Sequence, residues 1–329
     1  MRRPWLAPLM PFYATGWLVR AWALQYGWVR RQWLRWPVIS VGSISAGGAG
    51  KTPLTIALAR LLVAHGMAVD VLSRGYGRES REALLVDATG DAETYGDEPL
   101  LIARESAVPV VVAAQRWKAG QIAEQQAVSG CAVHLLDDGF QHRSLHRALD
   151  IVLVSEEDLR DHLLPAGNLR EPLRALRWAD VLLVRDDDEP ALDWLARQKT
   201  RQTVWRYHRA MQWPAAMPQK VFAFCGIARP EAFLRGLRAG GVEIAGERVL
   251  RDHQGYSEQE LSRLCEQLQR CGAHAFVTTA KDLARLGNRA DALRHVAPVF
   301  CAEVIVQFAD PGAVVECIRT ACAEAQGQG

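Results

Sequence analysis

The sequence predicts an α/β protein: a mostly parallel sheet flanked by helices, a second and smaller α/β domain, and an amphipathic N-terminal helix. Three observations carry that expectation. From position 38 onward, near-continuous Val/Ile/Leu runs alternate with helical stretches, as in strands covered on both faces. A glycine-rich loop joins the first run to a helical pattern. Residues 1–38 hold six arginines and six of the eleven tryptophans, and no Asp or Glu precedes Asp70.

At the N-terminus, the uncharged run at 4–19 is shorter than the ~20 residues of a spanning helix, and three prolines interrupt it. A signal peptide fits poorly, because Arg20, Arg30, Arg31 and Arg35 stand where a cleavage site of small residues belongs. On a wheel of about 100° per residue, Leu18, Trp22, Tyr26, Val29, Trp33 and Trp36 share one face, opposite Arg20, Arg31 and Arg35. Such a face suits a membrane interface, with indoles at headgroup level and arginines reaching anionic lipid phosphates. A helix packed on its own domain is the alternative.

The apolar runs lie at 38–41, 68–72, 108–112, 132–136, 151–154 and 181–184, with a helical pattern at 54–64. A second set at 221–224, 275–278 and 304–308 alternates with helices at 230–239 and 258–270. Residues 205–219 hold two prolines and little regular pattern, so a boundary is expected there. The expected division is 1–37, an amphipathic interface helix; 38–212, the domain that holds the glycine-rich loop; and 213–329, a smaller α/β domain whose tail can pack back on the larger one. Residues 323–329 are expected to fray.

Composition narrows the function classes. A chain of 329 residues, 49% hydrophobic and 23% charged, suits two ordinary globular domains. A net charge of +2 gives no whole-protein attraction to nucleic acid. Seven scattered cysteines with no CxxC pair or zinc spacing read as reduced core thiols.

Residues 41–53 read Val-Gly-Ser-Ile-Ser-Ala-Gly-Gly-Ala-Gly-Lys-Thr-Pro, between a strand and a helix. This is a P-loop pattern, although Ser45 stands where its first glycine is usual. Gly47, Gly48, Ala49 and Gly50 let backbone N–H groups turn toward phosphate oxygens, and the helix dipole adds to that field. Lys51 can reach the β- and γ-phosphates of ATP, and the Thr52 hydroxyl can ligate Mg²⁺. The fold expectation is therefore P-loop NTPase-like. The run 132–136 ends in Asp137 and Asp138, which delivers carboxylates beside such a loop, where Mg²⁺ sits. A plain Asp-Asp-Gly turn is the alternative. Alone, Gly96-Asp97-Glu98-Pro99 describes a turn with a helix start, and Asp252-His253 a loop pair.

Several further motifs stand in order between about 38 and 285. They include Ser73-Arg74-Gly75-Tyr76-Gly77 and Asp137-Asp138-Gly139-Phe140-Gln141-His142. Leu164-Pro165-Ala166-Gly167-Asn168-Leu169-Arg170-Glu171-Pro172 and Phe224-Cys225-Gly226-Ile227-Ala228 follow, then Asp252-His253 and Thr278-Thr279-Ala280-Lys281-Asp282. With the phosphate loop and Gly96–Pro99, the set resembles the tetraacyldisaccharide 4'-kinases, the lipid A 4'-kinases of Gram-negative bacteria. Two positions depart from that pattern: Ser43 replaces the usual Asn after the loop's first glycine, and Ala280 replaces the usual Glu.

The resemblance implies transfer of the ATP γ-phosphoryl group to the 4'-hydroxyl of a tetraacylated disaccharide 1-phosphate, forming lipid IVA. It implies Asp97 as general base with His253 orienting it, and Lys51 as the charge at the phosphates. Thr52, Glu98, Asp137 and Asp138 become the Mg²⁺ candidates. Arg74, Gln141, His142, Asn168, Arg170 and Glu171 become candidates for contacts with substrate or phosphates. The implied partners are the lipid disaccharide and anionic headgroups, without nucleic acid or a stable protein partner. The implied place is the cytoplasmic face of the inner membrane, as a peripheral or monotopic protein. Two other readings remain: a P-loop kinase of a soluble small molecule, and a non-catalytic, membrane-associated ATP-binding module. A GTP switch does not fit, because Lys281 and Asp282 are adjacent and a guanine-reading motif needs a residue between them.

Overall fold

The computed structural model describes residues 3–46, 50–78, 82–126, 132–198, 201–252 and 254–327. A 3-10 turn at Pro4–Leu9 leads into α1 (Met10–Gln25), followed by β1 (Val38–Ser43) and α2 (Lys51–Ala64). Next come β2 (Ala68–Ser73), β3 (Leu84–Leu85), α3 (Ala92–Tyr95), α4 (Asp97–Ser106), β4 (Val110–Val112), α5 (Arg116–Gln126) and β5 (Ala132–Asp137). The middle of the chain forms β6 (Leu149–Val154), α6 (Glu156–Leu159), β7 (Val181–Arg185), α7 (Glu189–Gln198) and β8 (Thr203–Gln212). The rest forms β9 (Lys220–Cys225), α8 (Pro230–Ala239), β10 (Glu243–Val249), α9 (Glu258–Cys271) and β11 (Ala275–Thr279). It ends with α10 (Ala280–Leu286), α11 (Ala290–Arg294), β12 (Val299–Phe308) and α12 (Pro311–Gln326).

Among the described residues the strands form one twelve-stranded sheet, in the order β10-β9-β11-β12-β8-β7-β6-β1-β5-β2-β4-β3. Pairing is parallel except at β12–β8 and β4–β3. The α/β expectation is met, with a mostly parallel sheet and flanking helices. β1 and β6 are buried at every position, which explains why their sequences are continuous apolar runs rather than alternating ones. β1 lies between β5 and β6, with Val41 opposite both Asp137 and Ile151. The chain order reverses at β1, and ligands of open α/β sheets collect at the carboxyl ends of strands at such a point.

One core joins α2 to the sheet and includes Leu54, Leu58, Leu62, Val71 and Leu135. The last helix completes it, since Val314, Val315 and Ile318 of α12 belong to the same cluster. Around β9 and β11 the packing is separate: Phe222, Phe224, Phe276 and Tyr256 meet edge to face at 5.8–6.0 Å between centroids.

Three local expectations are corrected. The segment at 205–219 is not irregular throughout, because β8 runs to Gln212. The first half of β8 pairs with β7 and its second half with β12, so each half shows one covered edge and a polar face. The single helical face through Leu18, Trp22, Tyr26, Val29, Trp33 and Trp36 does not form, because α1 stops at Gln25 and Gly27 turns the chain with φ +74°. Beyond it Gln32 bridges to Leu145, and Trp33 stacks on His146 at 3.6 Å. The tail stays helical to Gln326 rather than fraying from 323.

Candidate active site

At the carboxyl end of β1, Ser43 Oγ donates to the Ser45 carbonyl (2.9 Å). The following turn is clamped from outside: Ala46 N–H donates to Asn168 O (2.8 Å), and Arg170 N–H to Ile44 O (2.7 Å). Gly47, Gly48 and Ala49 lie outside the described residues. Gly50 caps α2 in the left-handed region at φ +83°, a conformation that favours glycine, and Lys51 and Thr52 open the helix. Lys51 Nζ lies 3.3 Å from Ser43 Oγ and 3.4 Å from Asp138 Oδ1. The serine at position 43 thus supports the lysine directly.

Asp137 ends β5 and is buried. Its Oδ1 accepts from Thr55 (3.3 Å) and its Oδ2 from Ser73 (3.2 Å). Burial, together with Glu98 and Asp138, pushes its pKa up to about 7. Asp138 follows in the left-handed region at φ +50°, which Asp tolerates better than most residues. Its Oδ2 accepts from Arg170 Nη1 (2.7 Å). Burial opposes its charge, but Lys51 and Arg170 outweigh it and hold Asp138 below the ordinary carboxylate range. The turn after β5 can lie against β1 only because position 42 is glycine. A Cβ there would come within 2.5 Å of Phe140 Cβ.

Asp97 and Glu98 form the first turn of α4, and side chains from α10 meet them there. Arg285 Nη2 donates to Asp97 Oδ2 (2.7 Å). Lys281 Nζ lies 3.1 Å from Glu98 Oε1, 3.7 Å from Asp97 Oδ2 and 3.8 Å from Asp252 Oδ1. Burial disfavours the ammonium, yet Glu98 and Asp97 prevail and raise its pKa. His253, expected beside Asp97, lies outside the described residues.

A cleft of about 1670 Å³ runs between these groups. Lys51, Thr52, Glu98, Asp137 and Asp138 line it, as do Arg74, Gln141, His142, Arg170 and Glu171. Asn168 does not: its side chain donates to Asp161 (2.8 Å) and its carbonyl holds the turn after β1. Gln141 Nε2 donates to Ser43 O (2.9 Å), and its Oε1 accepts from Arg170 (3.3 Å). Glu171 accepts from Arg143 (2.7 Å). Burial, reinforced by Arg116, lowers the His142 pKa to about 3, so its imidazole is neutral near pH 7.

Residues without a recognisable motif also face the cleft. Arg116 opens α5; burial brings its pKa down to about 10 against the pull of Asp137 and Asp138, and its Nε has no hydrogen-bond partner. From α1, Tyr13 OH donates to Arg170 O (3.0 Å) and Arg20 Nη2 to Gln141 O (2.7 Å). Trp17 packs on Trp178 (5.4 Å), which carries the Arg143 guanidinium at 3.9 Å. The opposite face of α1 exposes Phe12, Val19 and Trp22, with Trp5 and Leu9 ahead of it. No helix among the described residues is long and apolar enough to cross a membrane.

The chemistry of the donor set fits a small hard cation. Burial, with Glu98 and Asp138, raises the proton affinity of Asp137, and buried Asp138 Oδ1 has only the Lys51 ammonium, at 3.4 Å, beside it. No compact cage of three ligands occurs among the described residues. Mg²⁺ does not need one, since it takes one or two carboxylates and completes its shell with phosphates and water.

The chain is similar to known proteins along nearly its whole length. The family model described as Tetraacyldisaccharide-1-P 4'-kinase matches residues 2–323. A tetraacyldisaccharide 4'-kinase of Koribacter versatilis is 38% identical over 318 residues, covering 94% of this chain and 96% of that one. One of Bradyrhizobium diazoefficiens is 41% identical over 283 residues, covering 84% and 81%. Among solved structures, the "apo" form of LpxK from Aquifex aeolicus in complex with ATP matches with a TM-score of 0.75 and 31% identity, over 96% of this chain and 98% of that one.

Proposed function

This chain belongs to the tetraacyldisaccharide-1-P 4'-kinase family, and we propose that it moves the γ-phosphoryl group of ATP to the 4'-hydroxyl of tetraacyldisaccharide 1-phosphate, forming lipid IVA. The observation that carries this reading is the meeting of Lys51 with Asp138, beside Asp137, in a cleft whose other wall holds Glu98, with Asp97 buried next to it. Phosphoryl transfer demands positioning and charge neutralisation more than covalent chemistry. Gly47, Gly48, Ala49, Gly50, Lys51 and Thr52 receive the triphosphate, and the Lys51 ammonium balances charge at the γ-phosphate. Mg²⁺, held by Thr52 with Asp137, Asp138 and Glu98, would draw further charge from the phosphate oxygens. Asp97 accepts the hydroxyl proton as the new O–P bond forms and ADP leaves. His253 orients Asp97. Arg74, Gln141, His142, Arg170 and Glu171 meet the sugar or its phosphates, with Asn168 bracing the loop beneath them.

Residues 38–212 and 213–329 act as two lobes, joined beside the cleft where α10 meets α4. The exposed aromatic face of α1 supports a peripheral seat on the cytoplasmic face of the inner membrane, with its indoles at the level of the anionic headgroups. That same face favours a lipid acceptor over a soluble one. The test is transfer of radiolabel from γ-labelled ATP to the disaccharide lipid in detergent micelles. Label appearing on the lipid with wild type and vanishing with Lys51→Ala supports the reading. Label bound but never transferred leaves only a nucleotide-binding module.

A further inference from the structure

Asp97 is held from α10 by Arg285, a contact made beneath the cleft, since neither side chain lines it. We propose that Arg285 is a positioning residue for the base, anchored in the smaller lobe so that the contact of α10 with α4 sets the Asp97 carboxylate in its working orientation. The inference rests on the reading of Asp97 as general base.

The anchoring runs in steps. Arg285 Nη2 donates to Asp97 Oδ2 (2.7 Å), while Asp97 Oδ1 accepts from the Glu98 N–H (3.1 Å), so both oxygens are engaged. Arg285 Nη1 donates to Gly226 O (3.1 Å) and to Asp282 Oδ1 (3.1 Å). Asp282 is fully buried and is itself fastened three more times. Gly226 N–H (2.9 Å) and Tyr256 OH (2.8 Å) donate to its Oδ1, and Thr279 Oγ1 (2.6 Å) to its Oδ2. Tyr256 in turn packs edge-on against Phe224 in the lobe's aromatic core. A planar guanidinium whose Nη1 is held by two acceptors cannot rotate without breaking these bonds, so the direction of its Nη2 contact is fixed.

Lys281 does not supply this. Its single ammonium is shared among Glu98, Asp97 and Asp252 at 3.1–3.8 Å and sets no orientation for any one of them. Arg285 is therefore the group that links the base to the smaller lobe's interior.

Steady-state kinetics on the full chain tests this with Asp97→Asn, Arg285→Met, Arg285→Lys and the double variant Asp97→Asn/Arg285→Met. Arg285→Met is expected to lower kcat by about 10²-fold, the scale of a displaced catalytic group, with KM for ATP unchanged. Arg285→Lys keeps the charge but loses the fork, so its kcat stays well below wild type. In the Asp97→Asn background, Arg285→Met is expected to remove nothing further. Should Arg285→Met not fold, Tyr256→Phe carries the test: it removes one donor to Asp282, and a lower kcat at constant KM supports the chain. Wild-type turnover of Arg285→Met, or of Tyr256→Phe in its place, with Asp97→Asn inactive overturns this inference alone. So does a multiplicative loss in the double variant. Wild-type turnover of Asp97→Asn instead sinks the reading of the base beneath it.

Discussion

Lys51 Nζ lies 3.4 Å from Asp138 Oδ1, joining the first residue of α2 to the turn that follows β5. The Asp138 carboxylate also receives Arg170, so two cations converge on one acid at the mouth of the phosphate loop. A triphosphate entering the cleft competes for both.

Lys51→Ala is expected to cut kcat/KM by about 10²–10³-fold, the usual scale for one electrostatic stabiliser of a transition state. Folding should survive, because Asp138 keeps its Arg170 partner. Initial rates with labelled ATP, set beside thermal unfolding, separate the two effects. A rate within twofold of wild type would remove Lys51 from the mechanism.

Asp97→Asn is expected to lower kcat by about 10²–10⁴-fold, as loss of a positioned base does, while nucleotide binding persists. Calorimetric titration with a non-hydrolysable ATP analogue provides the second measurement. If affinity and rate fall together, Asp97 serves binding or folding and not proton transfer.

His134 lies buried under Trp36, with Nδ1 2.7 Å from Asp70 and Nε2 3.4 Å from Glu124. Burial works against its charge, but the two carboxylates outweigh it and raise its pKa to about 9. A folded-state value above the ordinary 6.5 means the charged form stabilises the fold. That contribution, on the order of 3 kcal/mol, is complete below pH ~6.5 and is lost as the pH rises through ~9. Urea unfolding at pH 6, 8 and 10 is expected to show wild-type stability falling and His134→Gln changing less. Parallel slopes for the two proteins would exclude this cluster as the source.

Trp5, Phe12 and Trp22 are exposed, so changing all three to Ser should leave the unfolding temperature near wild type. Co-sedimentation with vesicles containing anionic lipid is expected to drop sharply for that triple variant. Trp17→Ala is expected to behave oppositely, loosening α1 from Trp178 and lowering stability by less than the roughly 3–5 kcal/mol of a fully buried Trp, since Trp17 is partly buried. Undiminished sedimentation of the triple variant would move the membrane contact elsewhere.

How much was legible varied with how local the cause was. The strand at 38–41, the loop after it and α2 could be read directly, because a buried strand, a glycine turn and a helix start each depend on neighbouring residues. β8 was missed although Trp205 and Tyr207 alternate with exposed Val204, Arg206 and His208. That period of two was available, but its polar face and the prolines beyond obscured it. The helical wheel over 18–36 failed for a different reason: it assumed continuity through Gly27, where the chain turns.

The residue order by itself determined the passage from β1 through Gly50 into α2, the acids closing β5 and the parallel α/β layering, since each follows from short-range pattern and burial. Tertiary structure decided that Arg285 and Lys281 come to Asp97 and Glu98, that Arg116 faces Asp137, and that α1 docks through Trp17. No periodicity encodes those meetings. The meeting of α10 with α4 arises because β8 and β12 pair antiparallel and carry one set of strands to the edge of the other, bringing Lys281 and Glu98, distant in the chain, to one cleft.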